Sequence, residues 1–276
     1  MGQTVVITGL AQGMGREVAR MLANAGDTIA GFDVDAESIA SLEKELSAAG
    51  ARCHLETLDI TDRAAILKFR DRVIDKFGRI DTVVSNVGIG FFGPFEEIDL
   101  EKAMKCLEIN VIGAAAIFQA FIPSMRQVGA GKLIAMSSLV GRIPFPFESV
   151  YTSSKFAIQG LMESIAYELS PFGIQVAVIE PAQVSTTFAA KIHQLPPEGS
   201  PYRERAKRFI DRDNELIRTA TTPVQAARRI VKVIRTRKPK FHNQVDFMST
   251  FFLGLNRVLP KWMRDIILVN HMDIKV

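Results

Sequence analysis

Short runs of consecutive apolar, often β-branched residues alternate along this chain with longer stretches whose apolar positions recur every three to four residues. The short runs are "TVVITGL" (4–10), "TIAGFDV" (28–34), "RCHLETLDI" (52–60), "DTVVSNVG" (81–88), "GKLIAMSS" (131–138) and "IQVAVIEPA" (174–182), and each predicts a strand. Between the first two, 13–25 sets Val18, Met21, Leu22 and Ala25 on one helical face and stops at Gly26. Further helices are predicted over 36–49, closed by Gly50, and from a Thr61-Asp62 cap to Phe77. A long one covers 100–126, and another carries Tyr151 and ends near Ser170, before Pro171. Strands separated by helices of ten or more residues build βαβ units and a parallel sheet. Strands as uniformly apolar as "TVVI" and "VAVI" belong in a sheet covered on both faces. The predicted class is therefore α/β, doubly wound. With no internal repeat and no linker-like segment, residues 1–240 read as one domain, and 241–276 as a C-terminal basic and apolar helical extension.

Composition adds one asymmetry. The net charge is +4, but residues 1–200 hold 17 Lys/Arg against 23 Asp/Glu, whereas 201–276 hold 17 against 7. The basic character is concentrated in the last quarter. Two cysteines, Cys53 and Cys106, and four scattered histidines show no metal-ligand spacing, so no metal site is expected. The first strand begins at Thr4, which predicts no leader, and no run of eighteen apolar residues predicts a membrane span. The expected location is cytoplasmic.

The first chemical signal is "TGLAQGMG", which places Gly9, Gly13 and Gly15, with Gln12 and Met14 among them, between the first strand and the first helix. Glycines there let the backbone approach a pyrophosphate, and the helix N-terminus supplies N–H donors. Asp33 ends the second strand, where a carboxylate accepts hydrogen bonds from adenosine ribose hydroxyls and repels an extra phosphate. This Rossmann-type pairing of loop and acid predicts NAD rather than NADP. Asp59, followed by Ile60, is a candidate for the adenine edge. Asn86 and Gly88 in "SNVG" fall at the carboxyl ends of the strands, where ligands bind in such sheets.

The second signal is "SVYTSSKFAIQG". Tyr151 and Lys155 are four apart on a helix, hence on one face. Ser138 ends the fifth strand thirteen residues earlier, and Asn110 interrupts an apolar helix. A tyrosine titrates near ~10, too high for an efficient base at neutral pH. A lysine one turn away is expected to lower it by favouring the phenolate. Tyr151 is then the acid/base on a substrate oxygen, with Ser138 steadying charge on that oxygen.

Ser138, Tyr151 and Lys155, together with Asn110, "TGLAQGMG" and "SNVG", resemble the short-chain dehydrogenase/reductase family over about residues 3–190. A weaker likeness points to its hydroxysteroid and retinol dehydrogenase branch. Two positions depart from the family pattern: Val87 stands for its alanine and Ala182 for the glycine after Pro181. The resemblance implies a sheet of about seven strands and homodimers or homotetramers packed through the helices of Asn110 and Tyr151. It also implies that Asn110 holds a water linked to Lys155, that Lys155 holds the nicotinamide ribose, and that "PAQVST", with Pro181, Val184 and Thr186, flanks the nicotinamide. The activity implied is NAD-dependent interconversion of an alcohol and a ketone. A catalytically silent nucleotide-binding or regulatory protein on the same fold is the alternative, and a methyltransferase a third reading.

Phe91, Phe92, Phe95, Ile143, Phe145, Phe147 and Phe188 surround these motifs in the sequence and predict a pocket for a bulky lipophilic secondary alcohol. The segment 188–222 reads as a lid over it. Beyond Pro223, a basic helix is followed by 247–269, apolar at helical spacing and broken by Pro260, with Arg257, Lys261 and Arg264 on another side. Such a segment packs on the protein or a neighbouring subunit, or lies on a membrane surface. Nucleic-acid binding is not expected, since no recognition module is present.

Overall fold

The computed structural model describes residues 2–185 and 194–275. Thr186 and Phe188, both named above, lie outside the described residues, as does the start of the expected lid. Seven parallel strands form one sheet in the order β3-β2-β1-β4-β5-β6-β7. They are β1 Thr4–Thr8, β2 Thr28–Asp33, β3 Cys53–Thr57, β4 Thr82–Ser85, β5 Gly131–Met136, β6 Ile174–Ile179 and β7 His242–Asn243. The sequence order reverses between β1 and β4, which opens the crevice at the carboxyl edge where such sheets bind ligands.

The helices cover both faces. On one side α1 (Gly13–Asn24), α2 (Ala36–Ala48) and α8 (Pro223–Arg235) bury Val18, Leu22, Leu42, Ile230 and Ile234 against the sheet. On the other, α3 (Arg63–Phe77), α5 (Ala114–Val128) and α6 (Ser149–Leu169) bury Phe69, Phe118, Phe121, Ile158 and Met162. Asp62 caps α3 by accepting a hydrogen bond from Ala65 N, as its position predicted. The long helix starts as α4 (Leu100–Leu107), passes through a π-helical turn at Glu108–Gly113, and continues as α5. By length and composition the stretch from Leu100 to Val128 would suffice to cross a membrane; here its apolar face is built into the core.

The C-terminal region is joined to the main body. β7 lies past residue 240, so the sheet itself runs into the 241–276 segment. Helices α9 (Phe247–Val258) and α10 (Lys261–His271) are separated at Leu259–Pro260, where the chain is extended. Beyond them, Met272 and Ile274 enter a third apolar cluster with Phe92 and with Ala206 and Phe209 of α7 (Arg203–Arg218). Three arginines of α7 hold this tail by its backbone. Arg205 donates to Ile274 O, Arg208 to Asp273 O and Lys275 O, and Arg212 to His271 O.

Candidate active site

The glycine loop is tight because the chain around it leaves no room for side chains. Gly9 has φ +68° and Gly13 φ +57°. A Cβ on Gly15 would stand 2.4 Å from Gly9 O and 2.7 Å from Asn86 Nδ2. Asn86 closes this arrangement: its Nδ2 donates to Gly9 O at 2.8 Å and its N–H to Thr8 Oγ1 at 3.1 Å. Asp33 is buried at the end of β2, with Oδ2 accepting from Ala11 N at 3.1 Å and Oδ1 from Asp35 N at 3.2 Å. Gln12 precedes α1 as its exposed N-cap residue, and Met14 packs on the core beneath. A loop in which added Cβ atoms would collide, opening onto a helix N-terminus and flanked by an acid, fits a dinucleotide pyrophosphate and ribose.

Asp59 is exposed and turned locally. Its Oδ1 accepts from Thr61 N and Thr61 Oγ1, both at 2.8 Å, and the backbone bond chiefly holds its pKa below the ordinary value. Ile60 is buried against the π-helical turn, where a Cβ on Gly113 would come within 2.7 Å of its Cγ1.

At the chemical end, the π-helical turn presents Asn110 inward. Its Oδ1 accepts from Ile89 N at 2.8 Å, and its Nδ2 donates to Ile89 O at 2.9 Å and Ser154 Oγ at 3.0 Å. Lys155 is buried, donates to Met136 O at 2.8 Å and stands 5.5 Å from the centre of the Tyr151 ring. A Cβ on Gly88 would touch both Asn110 Oδ1 and Lys155 Nζ at 3.4 Å. Ser138 is hydrogen-bonded to the Tyr151 phenol, accepts from Val140 N and donates to Pro181 O. The structure thus brings Asn110, Ser138, Tyr151 and Lys155 to one place at the carboxyl edge. Val184 makes a bridge to Thr221 beside it.

One expectation needs correction. Lys155 was expected to lower the Tyr151 pKa, yet the phenol is pushed up, first by burial and then by the Glu148 carboxyl, with the Ser138 hydrogen bond acting the other way. Burial also pushes Lys155 down to about 8, and its Nζ donates to Met136 O, so no charge from Lys155 offsets the burial of the phenol. Without a further positive charge, the resting phenol is protonated.

Several neighbours carried no motif signal. Glu148, one turn before Tyr151, is buried, and burial with Asp213 second pushes its carboxyl up to about 8. Glu180, at the end of β6, is fully buried and accepts from Gln159, Gln244, His242 and Arg142, tying α6 and the loop after β5 to β7. Asp246 caps α9 through Ser249 N and also accepts from Ala182 N at 2.8 Å, so the C-terminal helices are anchored to the segment after Pro181. An acid ending an apolar strand, as in "VAVIEPA", was the one visible sign of such a network.

The aromatics divide. Phe92 and Phe147 pack with Phe209 at ring separations of 5.6–5.8 Å. Ile143 and Phe145 line an apolar cavity with Phe252, Leu255, Leu259 and Ile267 of the C-terminal region, and none of Ser138, Tyr151 or Lys155 reaches it. Phe95, expected beside the site, is 75% exposed.

A family model for short chain dehydrogenases matches residues 3–196. Human 17-beta-hydroxysteroid dehydrogenase type 1 is 33% identical over 94% of this chain and 81% of its own length. Dehydrogenase/reductase SDR family member 7B of Bos taurus is 30% identical over 85% and 71%. A short-chain dehydrogenase crystal structure from Streptomyces avermitilis superposes with a TM-score of 0.83 at 27% identity, covering 99% of this chain and 97% of that one.

Proposed function

The chain belongs to the short-chain dehydrogenase family, and on that premise we propose that it interconverts a bulky lipophilic secondary alcohol and its ketone with NAD as the preferred cofactor. The observation that carries this reading is Tyr151 hydrogen-bonded to Ser138 with Lys155 and Asn110 behind it. Gly9, Gly13, Gly15, Asn86 and Asp33 would hold the adenosine and pyrophosphate; Lys155 and the 181–185 segment face the nicotinamide end. The cofactor, when bound, supplies the hydride acceptor or donor. In the oxidising direction Tyr151 accepts the hydroxyl proton as the carbinol C–H bond breaks, and in the reducing direction it returns that proton. Ser138 holds the same oxygen throughout. Clustered Phe92, Phe147 and Phe209 favour an apolar substrate body.

Absorbance at 340 nm with lipophilic alcohols tests both halves of the proposal. Turnover is expected with NAD at a kcat/KM at least about tenfold above that with NADP, because the Asp33 carboxylate repels the extra phosphate. Equal use of both cofactors would remove the Asp33 argument, and no turnover with either would leave a silent nucleotide-binding protein.

Family members typically oligomerise and act on small molecules. Exposed Leu100, Met104 and Ile112 on the long helix, with Phe156 on α6, support packing of a second copy there. A peripheral membrane contact is proposed for α9 and α10. Phe247, Phe251, Gly254 and Val258 recur along one exposed stripe of α9, with Trp262 and Ile266 on α10 and the cations Arg257 and Lys261 between. Co-sedimentation with anionic vesicles is expected at low salt and is expected to weaken in Phe251→Ser/Trp262→Ser. A protein that ignores such vesicles sinks this contact.

A further inference from the structure

We infer that Glu180 is a positioning residue for the hydride-transfer site: its buried carboxylate holds the end of β5 that carries Ser138 against the turn of α6 that carries Lys155. The inference rests on the dehydrogenase reading above and adds to it a residue outside the set of Asn110, Ser138, Tyr151 and Lys155.

Glu180 directly follows β6 and has no exposed surface. A carboxylate so placed is kept only where donors meet it. Here the donors come from both sides of the site. From α6, Gln159 Nε2 reaches Glu180 Oε1 at 2.8 Å and Ser137 Oγ at 3.0 Å. Ser137 is the residue before Ser138, and Gln159 lies one helical turn after Lys155, hence on its face. On the other side of Ser138, Arg142 Nη1 reaches Oε1 at 3.3 Å, just past the one-turn helix Leu139–Gly141. From the C-terminal region, the His242 ring lies 2.9 Å from Oε1, and Gln244 Nε2 donates to Oε2 at 2.6 Å. The backbone repeats the connection. Glu180 N donates to Asn243 O at 2.9 Å, and the next carbonyl, Pro181 O, accepts from Leu139 N at 2.7 Å and from Ser138 Oγ at 3.4 Å.

The gap between strand and helix has no slack. A Cβ on Gly141 would stand 2.6 Å from Ser137 Oγ and 3.0 Å from Lys155 O. Two rungs close this gap. Lys155 makes the first itself, through Nζ to Met136 O at 2.8 Å. Gln159 makes the second, to Ser137, and that rung depends on Glu180. The Gln159 Oε1 is buried with no partner, so the two Nε2 bonds alone orient the amide. Without the carboxylate the amide is free to turn and Ser137 is released. Ser138 then shifts against Lys155 and Tyr151, and a shift of ~1 Å at a reacting centre costs about a hundredfold in rate.

Three variants separate this role from general support. Glu180→Leu removes the acceptor. Gln159→Met cuts the rung and leaves Glu180 with Arg142 and Gln244, which keeps the test valid should the leucine variant fail to fold. Glu180→Gln keeps Oε1 and lets Gln244 turn its own amide to meet the new NH2. With a lipophilic secondary alcohol, kcat is expected to fall about a hundredfold in Glu180→Leu and at least about tenfold in Gln159→Met, with NADH affinity within about threefold of wild type. Glu180→Gln is expected to restore kcat to within about threefold of wild type. In the double variant Glu180→Leu/Gln159→Met the loss is expected to exceed the worse single one by no more than about threefold, since both act through one rung. Amide exchange read by mass spectrometry needs no turnover: the 137–142 segment is expected to exchange at least about tenfold faster in Gln159→Met, with β1 and β2 unchanged. Unchanged exchange there, losses that multiply in the double variant, or an NADH affinity that falls in step with kcat would each overturn the positioning role. A wild type that turns over no alcohol while its 137–142 exchange still responds to Gln159→Met would remove the dehydrogenase reading and keep the tether. Turnover indifferent to all three variants would do the reverse.

Discussion

Tyr151→Phe is expected to lower kcat by about a thousandfold, in the middle of the range for loss of a general acid–base group. The substitution removes one oxygen and leaves the ring in place. The cofactor cradle of Gly9, Gly15, Asn86 and Asp33 is built from other elements and does not depend on the phenol. NADH affinity, read by fluorescence titration, is therefore expected to stay within about threefold of wild type, and the loss to fall on kcat. A variant that retains more than a tenth of the activity would assign proton transfer to another group. Lys155 is a poor substitute, since its Nζ is engaged with Met136 O.

Glu148→Gln is expected to stabilise the protein, and to do so more as pH rises. The Glu148 carboxyl has an ordinary pKa of 4.5 and is pushed up to about 8 in the folded chain, chiefly by burial, with Asp213 of α7 adding repulsion. Asp213 is the one charged group among the causes of its shift. A raised carboxyl pKa means that the folded state binds more protons between the two values. Its stabilising share is complete below 4.5 and is lost as pH rises through 8. The slope approaches about 1.4 kcal/mol per pH unit inside that window, so a few kcal/mol separate the ends. Glutamine keeps the shape and does not titrate. Urea unfolding at pH 5, 6, 7 and 8 is expected to show the two proteins diverging steadily, with the variant ahead at pH 8. Parallel profiles would mean that Glu148 is solvated or paired in solution.

Much of the sheet was legible because buried parallel strands are written as unbroken apolar runs. Their ends were not. β1 was expected to reach residue 10 but stops at Thr8, where Gly9 takes a positive φ, whereas β3, Cys53–Thr57, falls inside the 52–60 run expected to contain it. β7 escaped notice because two polar residues, His242 and Asn243, make an edge strand with no hydrophobic signature. Asn110 was recognised as a polar interruption, but the π-helical turn that swings it toward Ser154 has no periodic mark. Ser138, Tyr151 and Lys155 were singled out by their spacing together with the family resemblance that the glycine loop, Asn110 and "SNVG" supported. Their electrostatics were not, since a pKa depends on what surrounds a group in space. Glu148 lies inside a stretch already singled out for its phenylalanines, and only burial distinguishes it from a solvated glutamate.

The tail held by Arg205, Arg208 and Arg212 has a consequence for the order of events during synthesis. The seven strands and the nucleotide loop are encoded by residue 243, whereas a domain generally folds as a unit. The cluster of Phe92 and Phe209 cannot close until Met272 and Ile274 exist. A chain released or stalled short of Met272 would carry every strand of the sheet and yet leave the apolar surface of Phe92 and Phe209 without its last two partners, an exposed patch of the kind chaperones bind.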